Sequence, residues 1–411
     1  MIISQAAMPN RTTRFCPICG SDSTVHLLDN KLEKIYNLDM SYKVGSCNEC
    51  GLIYAYHLST PDTFAKYYSS LSKYDFSEGV YRESTVDVLR SNAAISMCSA
   101  YVHPDYQIAD IGCGLGYLLS CFRKHGYQRV WGIDPGPSSP RSASRCFGLE
   151  NVYTGSIAEA NSLIPISDIN LVTITGVLEH LWDIRSDVRG LVSSMKPGSY
   201  ILVEVPALEN FDAISDEPFG ELSLEHIHFF SVRSLNNFMN SVGLSCVQNK
   251  ILPLPAGTAD SLFGLYQISG NPSQACIPSE AAGINPEAHA FTKYLIASSL
   301  IYVKALGKIP LGKFCLYGAG SHTARLLSNL TSYQRERIVT IVDSNPNLAG
   351  KMIGKWKIHP PNALSTLPGV PIVISSYRAQ EAISRYIRQH WGNPIVLLYD
   401  IGDDVCQDQH E

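Results

Sequence analysis

The tightest constraint on the fold lies at Asp110-Ile111-Gly112-Cys113-Gly114-Leu115-Gly116. The residues before it, Tyr106-Gln107-Ile108-Ala109, read as the start of a buried strand. Leu118 to Phe122, with Arg123, Lys124 and His125, reads as a helix stopped by Gly126. The glycines thus occupy a strand-to-helix turn, where lacking a Cβ lets the backbone bend sharply and approach a ligand closely. The next strand, Val130-Trp131-Gly132-Ile133, ends at Asp134. An acidic side chain at the tip of the second strand, about 20 residues past the glycines, is the usual partner of ribose hydroxyls. An α/β domain with a ligand at this turn is expected; an ordinary turn of a doubly wound sheet is the plain alternative.

The spacing is G-x-G-x-G, one residue short of the dinucleotide fingerprint before its third glycine. Asp110 to Gly116 resembles the first motif of class I S-adenosylmethionine-dependent methyltransferases, whose loop packs on an uncharged adenosyl-methionine moiety. That resemblance implies cofactor contacts from Asp110, Gly112, Gly114, Gly116 and Asp134. A third strand is expected over Val152-Tyr153-Thr154-Gly155-Ser156-Ile157, and in this class the residues after it lie beside the adenine, which makes Ser156 and Ile157 candidates. A fourth strand is read at Asp168 to Ile174. The segments "VLEHLWD" (Val177 to Asp183), "MKPGS" (Met195 to Ser199) and "LVEVP" (Leu202 to Pro206) follow in the order and spacing of the same enzymes.

With 411 residues, the chain should hold two or three domains of about 150 residues each. Its hydrophobic fraction of 45% is enough for packed cores. A net charge of -5 gives no basic footprint for nucleic acid. No apolar run is long enough to span a bilayer, and Met1-Ile2-Ile3-Ser4-Gln5 lacks the pattern of a signal peptide. Most of the cysteines stand singly, as reduced thiols do. The expected compartment is cytoplasmic.

Four cysteines are different. Cys16-Pro17-Ile18-Cys19 and Cys47-Asn48-Glu49-Cys50 are two C-x-x-C knuckles, each followed by a glycine (Gly20, Gly51) that permits a tight turn around a metal. Four thiolates at tetrahedral corners suit Zn2+. A redox C-x-x-C would need one pair in a thioredoxin-like setting, which is missing. With all four positions filled, such a zinc site gives stability and no chemistry. Past the knuckles, Leu52 to Tyr56 reads as a strand, and Thr60-Pro61-Asp62 as a helix start. The polar loop from Ser69 to Tyr81 carries Tyr74 and Phe76, which either cover a substrate or pack on the domain.

Leu224-Glu225-His226-Ile227-His228-Phe229-Phe230-Ser231 holds a second Glu-His pair, followed by a helix over Val232 to Val242, capped by Ser231 and closed by Gly243. Its alternation places His226 and His228 on one face, as metal ligands or as polar core contacts. Glu225 beside His226 would hold the imidazole tautomer and raise its basicity, as a general base requires. A Pro/Gly/Ser-rich linker runs from Gly270 to Pro286. Beyond a helix over Glu287 to Ala305, Phe314-Cys315-Leu316-Tyr317-Gly318-Ala319-Gly320 opens another strand-glycine-helix unit, with Asp343 at the end of its second strand. Thr323 stands where a third glycine would. The expected division is residues 1–84 (zinc module and tyrosine loop), 85–270 (methyltransferase) and 271–411 (linker and Rossmann-like domain).

Taken from about Phe15 to Tyr399, this order resembles the C-methyltransferases that act on nucleotide-linked 4-keto deoxysugars. The resemblance implies that Glu225 and His226 lie in the active site with the histidine as base. A tyrosine-rich loop of that family is matched in part by Ser72 to Ser77, which keeps one tyrosine, Tyr74, where two are expected. Tyr74 or a neighbouring donor would hydrogen-bond the developing oxyanion. The resemblance thus implies a nucleotide-sugar substrate; the charge and the apolar pattern predict no nucleic-acid or membrane partner, and a monomer or homodimer is expected. O- or N-methylation of another small metabolite is the first alternative, an inactive methyltransferase-fold scaffold the second, and an oxidoreductase on the Gly318 turn the weakest.

Overall fold

The computed structural model describes residues 11–70, 81, 83–213, 217–255, 258–269 and 285–400. These residues fall into two compact units. One holds those up to Leu27 with Val44–Phe211 and Glu225–Phe291; the other holds Leu28–Lys43, those up to Leu224 after Asp212, and those from Thr292 on.

The first unit opens with short strands β1 (Arg11–Thr13), β2 (Thr24–Asn30), β3 (Tyr42–Cys47) and β4 (Ile53–Ser59), in the sheet order β1-β4-β3-β2. Its main sheet is built from β5 (Ile108–Ile111), β6 (Val130–Asp134), β7 (Val152–Thr154), β8 (Leu171–Thr175) and β9 (Tyr200–Pro206). A two-residue β10 (His228–Phe229) joins β4 instead, and β11 (Leu244–Leu252) and β12 (Ser261–Ile268) complete the main sheet. Its order is β11-β12-β9-β8-β5-β6-β7; β5 to β9 run parallel, and β12 and β11 antiparallel.

Parallel strands are covered on both faces, so they need continuous buried runs. Ile108-Ala109-Asp110-Ile111 is buried at all four positions, which explains why an aspartate inside it has to find a partner. The strand expected to reach Ile157 stops at Thr154, because Ser156 and Glu159 form a capping box that starts a short 3-10 turn at Ile157–Glu159. The fourth strand begins at Leu171 instead of Asp168, since Ile166–Asp168 makes a single turn of its own. The capped helix after the second Glu-His pair forms as expected, at Val232–Ser241, with the Ser231 hydroxyl accepting from Ser234 N at 3.1 Å.

The second unit contains β13 (Phe314–Tyr317), β14 (Ile338–Val342), β15 (Met352–Ile353), β16 (Trp356–His359), β17 (Ile372–Ile374) and β18 (Ile395–Leu397), in the order β15-β16-β14-β13-β17-β18. All pairs are parallel except β15–β16. Leu28–Lys43 folds with it: Glu33 pairs with Arg335 at 2.5 Å, and the Tyr36 hydroxyl donates to Ala319 O at 3.1 Å. At the Gly318 turn, Ala319 N donates to Asp343 at 2.8 Å, and Thr323 donates to Gly318 O at 2.7 Å. Thr323 therefore serves the turn itself in the place where a dinucleotide fold has a glycine for close packing.

Candidate active site

The glycine loop between β5 and the helix Tyr117–Lys124 is left-handed at three places, with φ of 76° at Gly112, 52° at Gly114 and 82° at Gly116. Gly112 N and Cys113 N both donate to Ile133 O, at 2.7 and 3.1 Å, which fixes the loop to the tip of β6. A Cβ on Gly112 would lie 2.2 Å from Val177 Cγ2, and one on Gly116 would lie 2.5 Å from Leu149 Cδ1. The loop thus packs on its own domain as closely as backbone allows. We expect Gly112→Ala to lose about 1–2 kcal/mol from the left-handed backbone and about 1–3 kcal/mol from overpacking. Adding Val177→Ala should restore the second part and leave the first, as thermal denaturation of the four variants of the cycle will read.

Asp134 closes this loop from the other side. Its carboxylate accepts from Gly114 N at 2.9 Å, from Gly136 N at 2.8 Å and from the Ser139 hydroxyl at 2.7 Å. A carboxylate offers about four acceptor positions, so three are taken by the chain and about one is left for a further donor. Asp110, one strand over, accepts from the Thr173 hydroxyl at 2.6 Å. Burial pushes its carboxyl up to about 7, against the pull of Thr173 and with the push of Asp134. Between about pH 4 and 7 the folded chain therefore holds a proton that the unfolded chain has released, and stability falls as pH rises. Chemical denaturation across this window should show that decline, and Asp110→Asn should make it shallower, with buried Glu179 keeping its own share of the slope.

Val177 links the loop to a second group of side chains. It precedes the single turn Leu178–His180 at the end of β8, which carries the first Glu-His pair. Ile227 N donates to Glu179 O at 2.9 Å, and this bond brings Glu225 and His226 against Glu179 and His180. The rings of His180 and His226 stack with centroids 5.0 Å apart. His180 Nδ1 lies 3.6 Å from Glu225 Oε2, and its Nε2 lies 3.8 Å from Glu179 Oε1. The Tyr67 hydroxyl donates to Glu225 Oε1 at 2.8 Å, while Tyr68 lies parallel to His180 at 6.4 Å. Glu179 is buried, which pushes its carboxyl up to about 7, although the neighbouring His226 favours its charged form. Burial likewise holds the Tyr68 phenol well above its ordinary value, so it remains a donor, and no partner for its oxygen occurs among the described residues.

Arg14 ties this cluster to the N-terminal strands. Its guanidinium donates to Ala55 O at 2.7 Å, Trp182 O at 2.7 Å and Ile227 O at 3.2 Å. Those carbonyls belong to β4, to the segment after His180, and to the residue between the two histidines of the second motif. Next to Arg14, the sulfurs of Cys16, Cys19, Cys47 and Cys50 all lie within 4.8 Å of one another. Gly20 N and Gly51 N donate back to Cys16 O and Cys47 O, at 2.8 and 3.0 Å, the turn each knuckle needs. Four convergent sulfurs with no oxygen or nitrogen donor among them fit a tetrahedral Zn2+. Arg185, from the helix Ile184–Ser194, donates to Pro17 O at 3.4 Å and also to Ile18 O, holding the first knuckle to the main domain.

The structure gathers the expected His226 and Glu225 into one cluster, and the expected glycines and Asp134 into another. His228, expected to share a face with His226, is buried in β10. Extended alternation begins only at His228, so it does not carry back to His226. Burial, with Arg14 nearby, holds the His228 imidazole well below its ordinary value. Ser156 bonds with Glu159 at 2.8 Å, and Ile157 is buried at the start of the next turn. Tyr74 lies outside the described residues. Sequence reasoning did not single out His180, Glu179, Tyr67 or Tyr68 as site residues. The one available signal was that the Glu-His dipeptide occurs twice, at 179–180 and 225–226.

The family described as a methyltransferase domain matches residues 86–249. A ubiquinone biosynthesis O-methyltransferase from Stutzerimonas stutzeri is 35% identical over 99 residues, which are 23% of this chain and 42% of that protein. One from Vibrio cholerae is 26% identical over 146 residues, 34% of this chain and 58% of that protein. The chain thus spans about half the length of these curated relatives. Among solved structures, magnesium protoporphyrin IX methyltransferase from Synechocystis is 14% identical with a TM-score of 0.39, covering 51% of this chain and all of that one (100%). A Burkholderia thailandensis 1,6-didemethyltoxoflavin-N1-methyltransferase is 17% identical with a TM-score of 0.39, covering 56% of this chain and 96% of that one. With the family match lying on the parallel sheet and its glycine loop, residues 86–249 carry a methyltransferase domain of the class I α/β fold.

Proposed function

We propose that this chain is an S-adenosylmethionine-dependent methyltransferase that methylates the carbon beside the ketone of a nucleotide-linked keto-deoxysugar. We further propose that its N-terminal cysteines hold a structural Zn2+. The observation that carries the first reading is the adjacency of two sites: the glycine loop packs on Val177, three residues before His180 in the histidine–carboxylate cluster. Methyl donor and proton acceptor would then meet at the end of one strand.

The donor supplies an electrophilic methyl group on a positively charged sulfur. Gly112, Gly114 and Gly116 let the backbone reach it, and Asp134 takes one ribose hydroxyl while holding the loop. A carbon next to a ketone is acidic only because its carbanion delocalises into the carbonyl. His226 accepts that proton, and the carboxylates of Glu179 and Glu225 stabilise the resulting charge across the stacked imidazoles. The enolate carbon bonds to the methyl group as the carbon–sulfur bond breaks. Tyr68, with Tyr74 as the expected second donor, hydrogen-bonds the enolate oxygen. Positioning contributes most, since effective molarities reach about 10⁵ M or more.

A second reading, O-methylation with His226 deprotonating a hydroxyl, is favoured by the names of the curated relatives. The two separate on one experiment. With S-adenosylhomocysteine bound, a keto-sugar substrate should exchange its α-hydrogen for deuterium in D2O in a His226-dependent way. A hydroxyl acceptor shows no such carbon exchange.

The cofactor part has its own test. Asp134→Ala leaves Gly114 N and Gly136 N without an acceptor, at about 1–3 kcal/mol each. Calorimetry should find S-adenosylmethionine affinity at least about tenfold lower, and a binding curve unchanged from the parent would remove Asp134 from the site.

A further inference from the structure

The two Glu-His segments converge in a way that general-base chemistry alone does not require. One ligand atom each from Glu179, His180 and His226 lies within 4.8 Å of the other two. Glu179 is buried to 3% exposure, and its Oε2 has no hydrogen-bond partner among the described residues. A buried carboxylate oxygen left in that state needs a counter-charge or a proton. His180 also stands between two carboxylates. Its Nδ1 faces the carboxylate of Glu225 at 3.6 Å, and that carboxylate is itself fixed by the Tyr67 hydroxyl at 2.8 Å. The other nitrogen, Nε2, faces Glu179 at 3.8 Å. A carboxylate this close to the far nitrogen favours a cationic or metal-bound imidazole electrostatically, and carboxylates commonly stand behind metal-bound histidines.

We propose that Glu179, His180 and His226 form a binding site for a divalent transition cation of the Zn2+ or Co2+ kind, separate from the four-cysteine site. Two imidazoles and one carboxylate favour such borderline cations over Mg2+ or Ca2+, which prefer oxygen donors. Three protein ligands leave further positions open to water or to an oxygen of a substrate. The cation takes the lone pair with which His226 would accept a proton, so the metal-bound and proton-accepting states are alternatives. The site stands on the geometry of the cluster and goes beyond the proposed reaction.

The test is a cobalt(II) titration of the full chain, without substrate or methyl donor, so that its result is independent of what reaction the protein performs. Thiolate ligation gives intense near-ultraviolet charge-transfer absorption, whereas nitrogen and oxygen ligands give only weak visible bands. The expected result is one equivalent with the thiolate signal and one without it. His180→Asn and Glu179→Gln should each abolish only the latter, and Glu225→Gln should weaken it by about 10–100-fold. Retention of the thiolate band in each variant reports that the chain is folded. If no equivalent lacking thiolate absorption is lost in either His180→Asn or Glu179→Gln, the site does not exist.

Discussion

Replacing His226 with asparagine should lower turnover by about 10²–10⁴-fold while leaving S-adenosylmethionine binding within about twofold, because a general base contributes to the barrier and not to the donor site. Asparagine keeps a polar planar side chain in a half-buried position, so the stack on His180, with centroids 5.0 Å apart, loses its base without opening a large cavity. The glycine loop is held by Ile133 and Asp134 and does not depend on the imidazole. Single-turnover kinetics beside calorimetry separates the two effects. A variant with turnover within about tenfold of the parent would assign the proton to another group. His180, which faces carboxylates on both of its nitrogens, would then be the next residue to replace.

The second large effect is expected at the cysteines. Structural Zn2+ sites supply about 10–16 kcal/mol of apparent binding free energy at neutral pH, comparable to the whole stability of a typical domain at about 5–15 kcal/mol. Cys47→Ser should therefore remove the metal and unfold the N-terminal strands. The damage should extend further, because Cys16, Ile18, Cys47, Cys50, Leu52 and Tyr54 share one core with Ile174, Val203 and Phe230 of the main domain. Arg14 donates to Trp182 and Ile227, and Arg185 of the main domain donates to Pro17 and Ile18 of the first knuckle, tying the two regions together. Loss of the metal should thus loosen the frame of both Glu-His segments, and activity should fall together with the melting temperature. Metal analysis and thermal denaturation check this, and a variant that keeps both zinc and its melting temperature would contradict it.

What the sequence made legible follows from the range of the interactions involved. The turn at Gly112, Gly114 and Gly116, the knuckles at Cys16–Cys19 and Cys47–Cys50, and the Ser231 cap are set by a few adjacent residues, so their spacing alone announces them. Strand ends were harder. The stops at Thr154 and Leu171 are decided by capping and single turns that compete with β-branched runs. The pairing of Glu225 with His180 and Tyr67 could not be read locally, because it joins residues distant in sequence that the Ile227–Glu179 backbone bond, the β4–β10 pairing and Arg14 bring together. Adjacency in sequence suggested that Glu225 serves His226; in the fold its carboxylate also faces His180. In the same way, Asp134 was legible as an acidic strand tip, but not as the acceptor that holds the glycine loop closed.

The proposed reaction is methyl transfer to carbon. Incubation with S-adenosylmethionine carrying a ¹³C-labelled methyl group and a nucleotide-linked keto-deoxysugar, followed by NMR, reads it directly. The expected result is a new ¹³C-methyl resonance coupled to the sugar carbon beside the ketone, absent in the His226→Asn variant. A labelled methyl found on oxygen, or a sugar returned unmethylated by a protein that binds the methyl donor, would contradict it.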